Sequence, residues 1–218
     1  MKNNHVVMLK APNSPAAEAY RALRFNLGFT SLDHPLKTLV VSSPAASATK
    51  SDVAANLAIA TAQAGSRVIL VDADMRRPQI HTLFAIPNEP GLSTTIASRE
   101  EDVEIPLVKT EVEGLLVFPC GILPPNPADI LSSSKMERLT ATLKNQADIV
   151  IFDAPPVLVA VDATALATKT DGLLLVVRSG HTRRDKLEQA KQLLERSDVR
   201  LLGAVLTDSP ERGMWTGY

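Results

Sequence analysis

The sequence predicts an α/β protein, a doubly wound and mostly parallel sheet with helices on both faces. Two observations predict it. Four short runs, 38–41, 68–71, 149–152 and 173–177, are rich in Val, Ile and Leu and do not alternate with polar residues. That is the pattern of strands covered on both faces. Stretches with helical spacing lie between the runs, and strand–helix alternation implies right-handed crossovers.

Taken in chain order, each element has a local reason. A helix is expected over 15–26, with Asn13-Ser14 as N-cap and Pro15 at the first helical position. The strand at 38–41 follows. An alanine-rich helix over 51–64 ends at Gly65, a C-cap residue. After the strand at 68–71, residues 86–127 are looser, with many Pro, Gly and acidic residues around a weaker strand at 115–118. Helices are expected over 135–145 and 183–196, and a weaker final strand over 201–206. The expected organisation is an N-terminal arm 1–14, a single domain 15–207 and a short tail 208–218.

Composition excludes several classes of function. The 218 residues carry 23 Lys+Arg against 24 Asp+Glu, which gives no support to a nucleic-acid partner. No apolar run approaches the roughly 18 residues of a membrane span. The opening MKNNHVVMLK lacks the apolar stretch of a signal peptide. The single cysteine, Cys120, forms no internal disulfide framework and fits a reducing cytoplasm. Glycine is scarce, at 10 residues, and none lies between Gly28 and Gly65.

Three strand ends carry chemistry. Leu39-Val40-Val41-Ser42-Ser43 leads into Pro44-Ala45-Ala46-Ser47-Ala48-Thr49, and Lys50-Ser51-Asp52 opens a helix. A phosphate-binding loop has this placement. Backbone N–H groups face phosphate, Lys50 reaches its oxygens and Ser51 ligates Mg²⁺. The two glycine positions of the usual pattern hold Pro44 and Thr49. Proline removes a donor, and threonine is poorly suited to the positive φ expected of a phosphate nest. The second strand ends in Asp72-Ala73-Asp74, two carboxylates at the edge where open α/β sheets bind ligands. The third, Ile149-Val150-Ile151-Phe152, ends in Asp153, the Walker B placement of a magnesium-orienting carboxylate. Each signal alone is common, but three in this order would converge on one site.

Five segments together resemble the bacterial tyrosine kinases (BY-kinases), cytoplasmic P-loop partners of capsular and exopolysaccharide copolymerases. They are Glu18-Ala-Tyr-Arg21-Ala-Leu-Arg24, Val71-Asp72-Ala-Asp74-Met-Arg76-Arg77-Pro78, Pro90-Gly91-Leu92-Ser93, Gly121-Ile-Leu-Pro124-Pro125-Asn126-Pro127, and Phe152-Asp153-Ala-Pro155-Pro156. The resemblance covers about residues 15–206. It implies a P-loop NTPase fold of the MinD/ParA kind. It also implies Mg-ATP or Mg-ADP held by Lys50, Ser51, Thr49 and Asp153. Ser51, Asp72 and Asp153 would serve the metal, and Lys50, Asp72 and Asp74 catalysis. Glu18, Arg21 and Arg24 would serve oligomerisation, although i,i+3 spacing also fits a solvated helix face.

Relative to the family, the loop Ala46-Ser47-Ala48-Thr49-Lys50-Ser51-Asp52 has lost its glycines and its acidic residue. Asp52 sets a negative charge beside the magnesium-binding hydroxyl and would repel phosphate unless turned away. Thr207 stands where the last strand usually ends in Asn. The tail carries one tyrosine, Tyr218, as its only phospho-acceptor; the chain's other tyrosine is Tyr20. These departures imply a pseudokinase, binding nucleotide weakly or not at all. Such a protein would oligomerise with itself or with active relatives and dock on an integral-membrane polysaccharide copolymerase, at the inner face of the cell membrane. Two rival readings stay open: a working tyrosine autokinase using Mg-ATP, and a ParA/MinD-type ATPase. The second lacks support, since Ala45 stands where those ATPases carry a loop lysine.

Overall fold

The computed structural model describes residues 6–30, 35–47, 49–98 and 104–209. Strands are β1 (Thr38–Ser42), β2 (Val68–Asp72), β3 (Val108–Lys109), β4 (Leu115–Phe118), β5 (Ile149–Asp153), β6 (Leu173–Arg178) and β7 (Leu201–Thr207). They form one sheet in the order β3-β4-β2-β5-β1-β6-β7. Only the edge strand β3 runs antiparallel to its neighbour; the other pairings are parallel. The doubly wound fold expected from the sequence is therefore the fold observed.

Helices cover both faces. On one lie α1 (Val7–Lys10), α2 (Pro15–Phe29), α3 (Lys50–Ala62) and α4 (Ile80–Leu83). On the other lie α5 (Leu92–Ala97), α6 (Pro127–Ser132), α7 (Ser134–Gln146), α8 (Asp162–Ala167) and α9 (Arg184–Arg196). Alternate strand residues feed two cores. Val40, Ile69, Val71, Val150 and Phe152 pack with α5 to α9, while Leu39, Val41, Leu70 and Ile151 pack with α1 to α4. Period-two alternation between two apolar layers is why the strands read as continuous apolar runs.

α3 is the central helix of its layer, and within it Asp52 alone is not buried. Its small residues, Ala54, Ala55 and Ala58, let β1, β2 and α2 approach it closely. At α2 the Ser14 hydroxyl accepts from the Ala17 N–H at 3.2 Å, and Ser133 caps α7 in the same way. Part of the expected N-terminal arm is packed rather than loose. Val6 and Met8 are buried, and the Met8 N–H donates to Asn56 Oδ1 at 3.0 Å.

The segment read as loose is tied together by two glycines. A Cβ on Gly91 would sit 2.3 Å from the Gly121 nitrogen, so neither turn tolerates a side chain there. The close approach lets Leu92 N–H donate to Pro119 and Ser93 N–H to Cys120. The short elements α1, α4, α5, α6, α8 and β3 went unread because runs of two to six residues leave too little periodicity to recognise.

Candidate functional site

Parallel pairing brings the chemistry together. Asp72 and Asp153 end neighbouring strands and lie in register across the β2–β5 pair. β1 flanks β5 on its other side, and the loop after β1 returns the chain at Lys50, the first residue of α3. Lys50, Ser51, Asp72, Asp74 and Asp153, expected to form one site, do converge at this sheet edge, and all five are buried.

Their hydrogen bonds are specific. Lys50 Nζ donates to Asp153 Oδ1 and lies 3.2 Å from Asp74 Oδ2. Ser51 Oγ donates to Asp153 Oδ2 at 2.6 Å. Asp72 Oδ2 accepts the Gln79 and Ile80 N–H groups at 3.1 and 3.0 Å, at the start of α4. Asp74 Oδ1 accepts the Arg76 and Arg77 N–H groups at 3.3 and 3.0 Å. Asp72 Oδ1 is buried and has no partner among the described residues.

One ammonium faces three carboxylates, so the buried cluster carries a deficit of positive charge. Burial, and next the charge of Asp153, holds the Asp72 carboxyl well above the usual carboxylate range. Burial likewise raises Asp153, against the pull of Lys50. Burial works against the Lys50 charge, but Asp153, Asp74 and Asp72 overcome it and keep the ammonium protonated above the ordinary lysine value. A divalent cation fits this arrangement. The orphaned Asp72 oxygen and the Ser51 hydroxyl are hard oxygen donors of the kind Mg²⁺ takes one or two at a time, with water and phosphate supplying the rest. Among the described residues no three His, Cys, Asp or Glu side chains converge to cage a metal alone.

The phosphate loop differs from expectation at Thr49. Its φ is −103° and its ψ −4°, a conformation threonine adopts without strain, so the expected positive φ is absent. The side chain is instead spent on the loop itself. Thr49 Oγ1 shares a hydrogen bond of 2.9 Å with Thr207 Oγ1, at the end of β7, and one of 3.1 Å with Ser47 Oγ. The Thr49 N–H donates to Ser47 Oγ at 3.3 Å. Burial, and next the charge of Asp52, pushes the Tyr20 hydroxyl of α2 up to about 12.

The remaining expected residues divide. Glu18 and Arg21 pair with each other at 2.9 Å on the surface of α2, and Arg21 Nη2 also donates to the Pro12 carbonyl. Arg24 leaves this pair and lines a cavity between α2 and α3. Tyr218 lies outside the described residues. The buried Cys120 thiol is pushed up by burial and then by the charges of Asp72 and Asp74, which disfavours the thiolate. One site residue went unread. Asp162, fully buried at the start of α8, receives Arg76 Nε and Nη2 at 2.8 and 3.1 Å and ties the Asp72–Asp74 loop to α8. An acidic residue opening a helix after an apolar pair was its only signal.

Comparison with known proteins gives the family. An AAA domain model matches residues 37–198. Tyrosine-protein kinase YwqD of Bacillus subtilis is 38% identical over 93% of this chain and 85% of its own length. The chain belongs to the bacterial tyrosine-kinase family. Putative tyrosine-protein kinase CapB of Staphylococcus aureus is 33% identical over 91% of the chain and 87% of its own length. Among solved structures, the chimerical protein CapA2B2 superposes with a TM-score of 0.88 at 35% identity, covering 97% of this chain and 92% of that one. The kinase domain of Escherichia coli ETK gives 0.89 at 31% identity, covering 98% and 83%. The cell-division ATPase MinD of Pyrococcus furiosus, at 22% identity and a TM-score of 0.64, shares the fold. In this chain Lys50, Ser51, Asp72, Asp74 and Asp153 stand at one edge of one sheet. No helix among the described residues is long and apolar enough to cross a membrane.

Proposed function

We propose that this chain is a pseudokinase of the bacterial tyrosine-kinase family. It serves capsule or exopolysaccharide production by oligomerising and by docking on the cytoplasmic side of a membrane copolymerase. The observation that carries this reading is the self-satisfied phosphate loop. The Thr49 amide, which a phosphate would take, donates to Ser47. The Thr49 hydroxyl is engaged by Thr207, and Lys50 by Asp153 and Asp74. A nucleotide must break these contacts before it gains its own, so its affinity falls by the cost of opening the loop.

The carboxylate half of the site keeps its role in this reading. Mg²⁺, when bound with a nucleotide, supplies charge neutralisation for the phosphates. Ser51 and Asp72 would hold it, with Asp153 orienting the Ser51 hydroxyl. Assembly falls to α2, where Glu18 is exposed and Phe25 and Phe29 stack edge to face while 59% and 54% exposed. Two adjacent aromatic rings in water favour a protein contact. The tyrosine kinases among the relatives, CapB and YwqD included, support the polymer pathway and the membrane partner.

A second reading, an active autokinase, is favoured by the assembled lysine and carboxylates and by the unstrained φ of Thr49. Titration calorimetry with Mg-ATP and Mg-ADP, alongside phosphotyrosine detection, separates the two. The pseudokinase predicts dissociation constants of about 1 mM or weaker and no phosphotyrosine. Micromolar binding with phosphorylation of Tyr218 that disappears in Lys50→Ala would establish the autokinase instead.

A further inference from the structure

The opposite edge of the sheet carries a cavity of about 310 Å³ that the nucleotide chemistry does not use. Its walls come from α2, the start of β1 and the end of α3. Leu27, Leu36, Leu39 and Leu57 make it apolar, and Arg24 and Thr61 add polar groups. The size lies at the lower end of the range for small-molecule sites, and apolar walls with few convergent polar groups are their usual composition.

Arg24 gives the cavity its sign. Its Nε is buried and has no hydrogen-bond partner among the described residues. A buried guanidinium N–H without an acceptor is costly, and an anion entering the cavity would relieve that cost. The other charged residue of the described lining is Asp148, and its carboxylate is already taken. Asp148 Oδ2 accepts the Arg67 backbone N–H at 2.8 Å, and Oδ1 accepts Arg67 Nη2 at 2.7 Å. Arg24 is therefore the uncompensated charge in the described lining. The adjoining cleft shares Ser66 but is lined by Glu111 and Glu113, which would turn an anion away.

From this we propose that the cavity between α2 and α3 binds a small amphiphilic anion, its carboxylate or sulfonate head on Arg24 and its compact apolar body against the four leucines. The inference stands apart from the reading of the phosphate loop, since it concerns the other end of the sheet.

Octanoate and 8-anilinonaphthalene-1-sulfonate are suitable probes, with octan-1-ol as the uncharged control. Titration of the full chain, by calorimetry for octanoate and octanol and by fluorescence for the sulfonate, is expected to show one site. Arg24→Gln should weaken both anions at least tenfold, at unchanged melting temperature. Octanol should bind at least tenfold more weakly than octanoate to the wild type. Leu57→Phe, which fills the cavity without touching the charge, should weaken both anions as well. Equal binding by Arg24→Gln, equal binding of octanol, or no saturable binding at millimolar octanoate would each overturn the proposal. So would sedimentation showing that this face is covered by a second copy of the chain and that octanoate fails to compete.

Discussion

Two loops leave the same edge of the sheet and treat their backbones in opposite ways. In the loop after β2, carboxylates satisfy the backbone. Asp72 and Asp74 each take two N–H groups with one oxygen, and their other oxygens face the cluster. In the loop after β1, hydroxyl groups do the work that a bound phosphate would do. Ser47 accepts the Thr49 amide, and Thr49 closes on Thr207. The first loop is finished without a ligand and still presents negative charge to a cation. The second is also finished without a ligand, but by filling its own anion cradle. The proposed pseudokinase needs a site able to keep its cation half while losing its anion half, and the two halves do rest on separate loops.

Asp153 joins the halves, and removing it gives the largest expected effect. Its carboxylate is fully buried and accepts from both Lys50 and Ser51. In Asp153→Ala the buried Lys50 ammonium keeps Asp74, at 3.2 Å, as its one carboxylate in ion-pair contact among the described residues, with Ser51 Oγ at 3.4 Å, and the Ser51 hydroxyl loses its acceptor. Breaking a buried pair in this way costs about 3–5 kcal/mol. Urea unfolding measures it, and a loss below about 1 kcal/mol would mean that the cluster is solvated rather than buried.

Asp72 sharpens the comparison from the cation side. Burial and the charge of Asp153 raise its carboxyl pKa, so the folded protein binds that proton more tightly than the unfolded chain. The stability this contributes is present below the ordinary carboxylate range and is lost as pH rises through the raised pKa. Asp72→Asn does not titrate. Its amide oxygen can still accept from Gln79 and Ile80, and its nitrogen replaces the orphaned oxygen. At neutral pH it should therefore be more stable than the wild type by about 2 kcal/mol. Unfolding curves between roughly pH 4 and pH 8 should show that margin shrink as pH falls. A constant margin would locate the effect in packing instead of charge.

The fold and the carboxylates were legible for one reason, which is that strands buried on both faces must be apolar to their ends. A polar residue directly after such a run stands out, and Asp72 and Asp153 come directly after two of them. Each main strand is nonetheless one residue longer than its apolar run. Ser42, Asp72, Asp153, Arg178 and Thr207 all belong to strands because they still pair along the sheet. Three things were beyond the sequence. The tie between Thr49 and Thr207 spans 158 residues and leaves no local pattern. The φ of Thr49 is set by the actual path of the loop, not by the residue types in the motif. Arg24 shares a three-residue spacing with Glu18 and Arg21, yet α2 turns it toward α3, because the helix packs along that side.

Thr49 provides the sharpest test of the anion side, with the smallest change in energy. In Thr49→Gly the hydroxyl bonds to Ser47 and Thr207 disappear, and the helix start loses a residue that glycine replaces at low cost. The fold should lose about 1 kcal/mol. Binding should move the other way, since the hydroxyl ties to Ser47 and Thr207 no longer hold the loop closed against phosphate. Mg-ADP affinity is expected to rise about tenfold, close to 1.4 kcal/mol, as read by calorimetry. Thr207→Val separates the causes. It breaks the same cross-sheet tie but leaves threonine and its backbone in the loop. If the tie holds the cradle shut, both variants gain affinity, with Thr49→Gly gaining more because it also removes the hydroxyl contact between Thr49 and Ser47. If only Thr49→Gly gains, the hydroxyl contact between Thr49 and Ser47 is the obstacle. Wild-type affinity in both would shift the block to Lys50, held between Asp153 and Asp74. The two loops would then be coupled through that lysine, and the division into independent halves would fail.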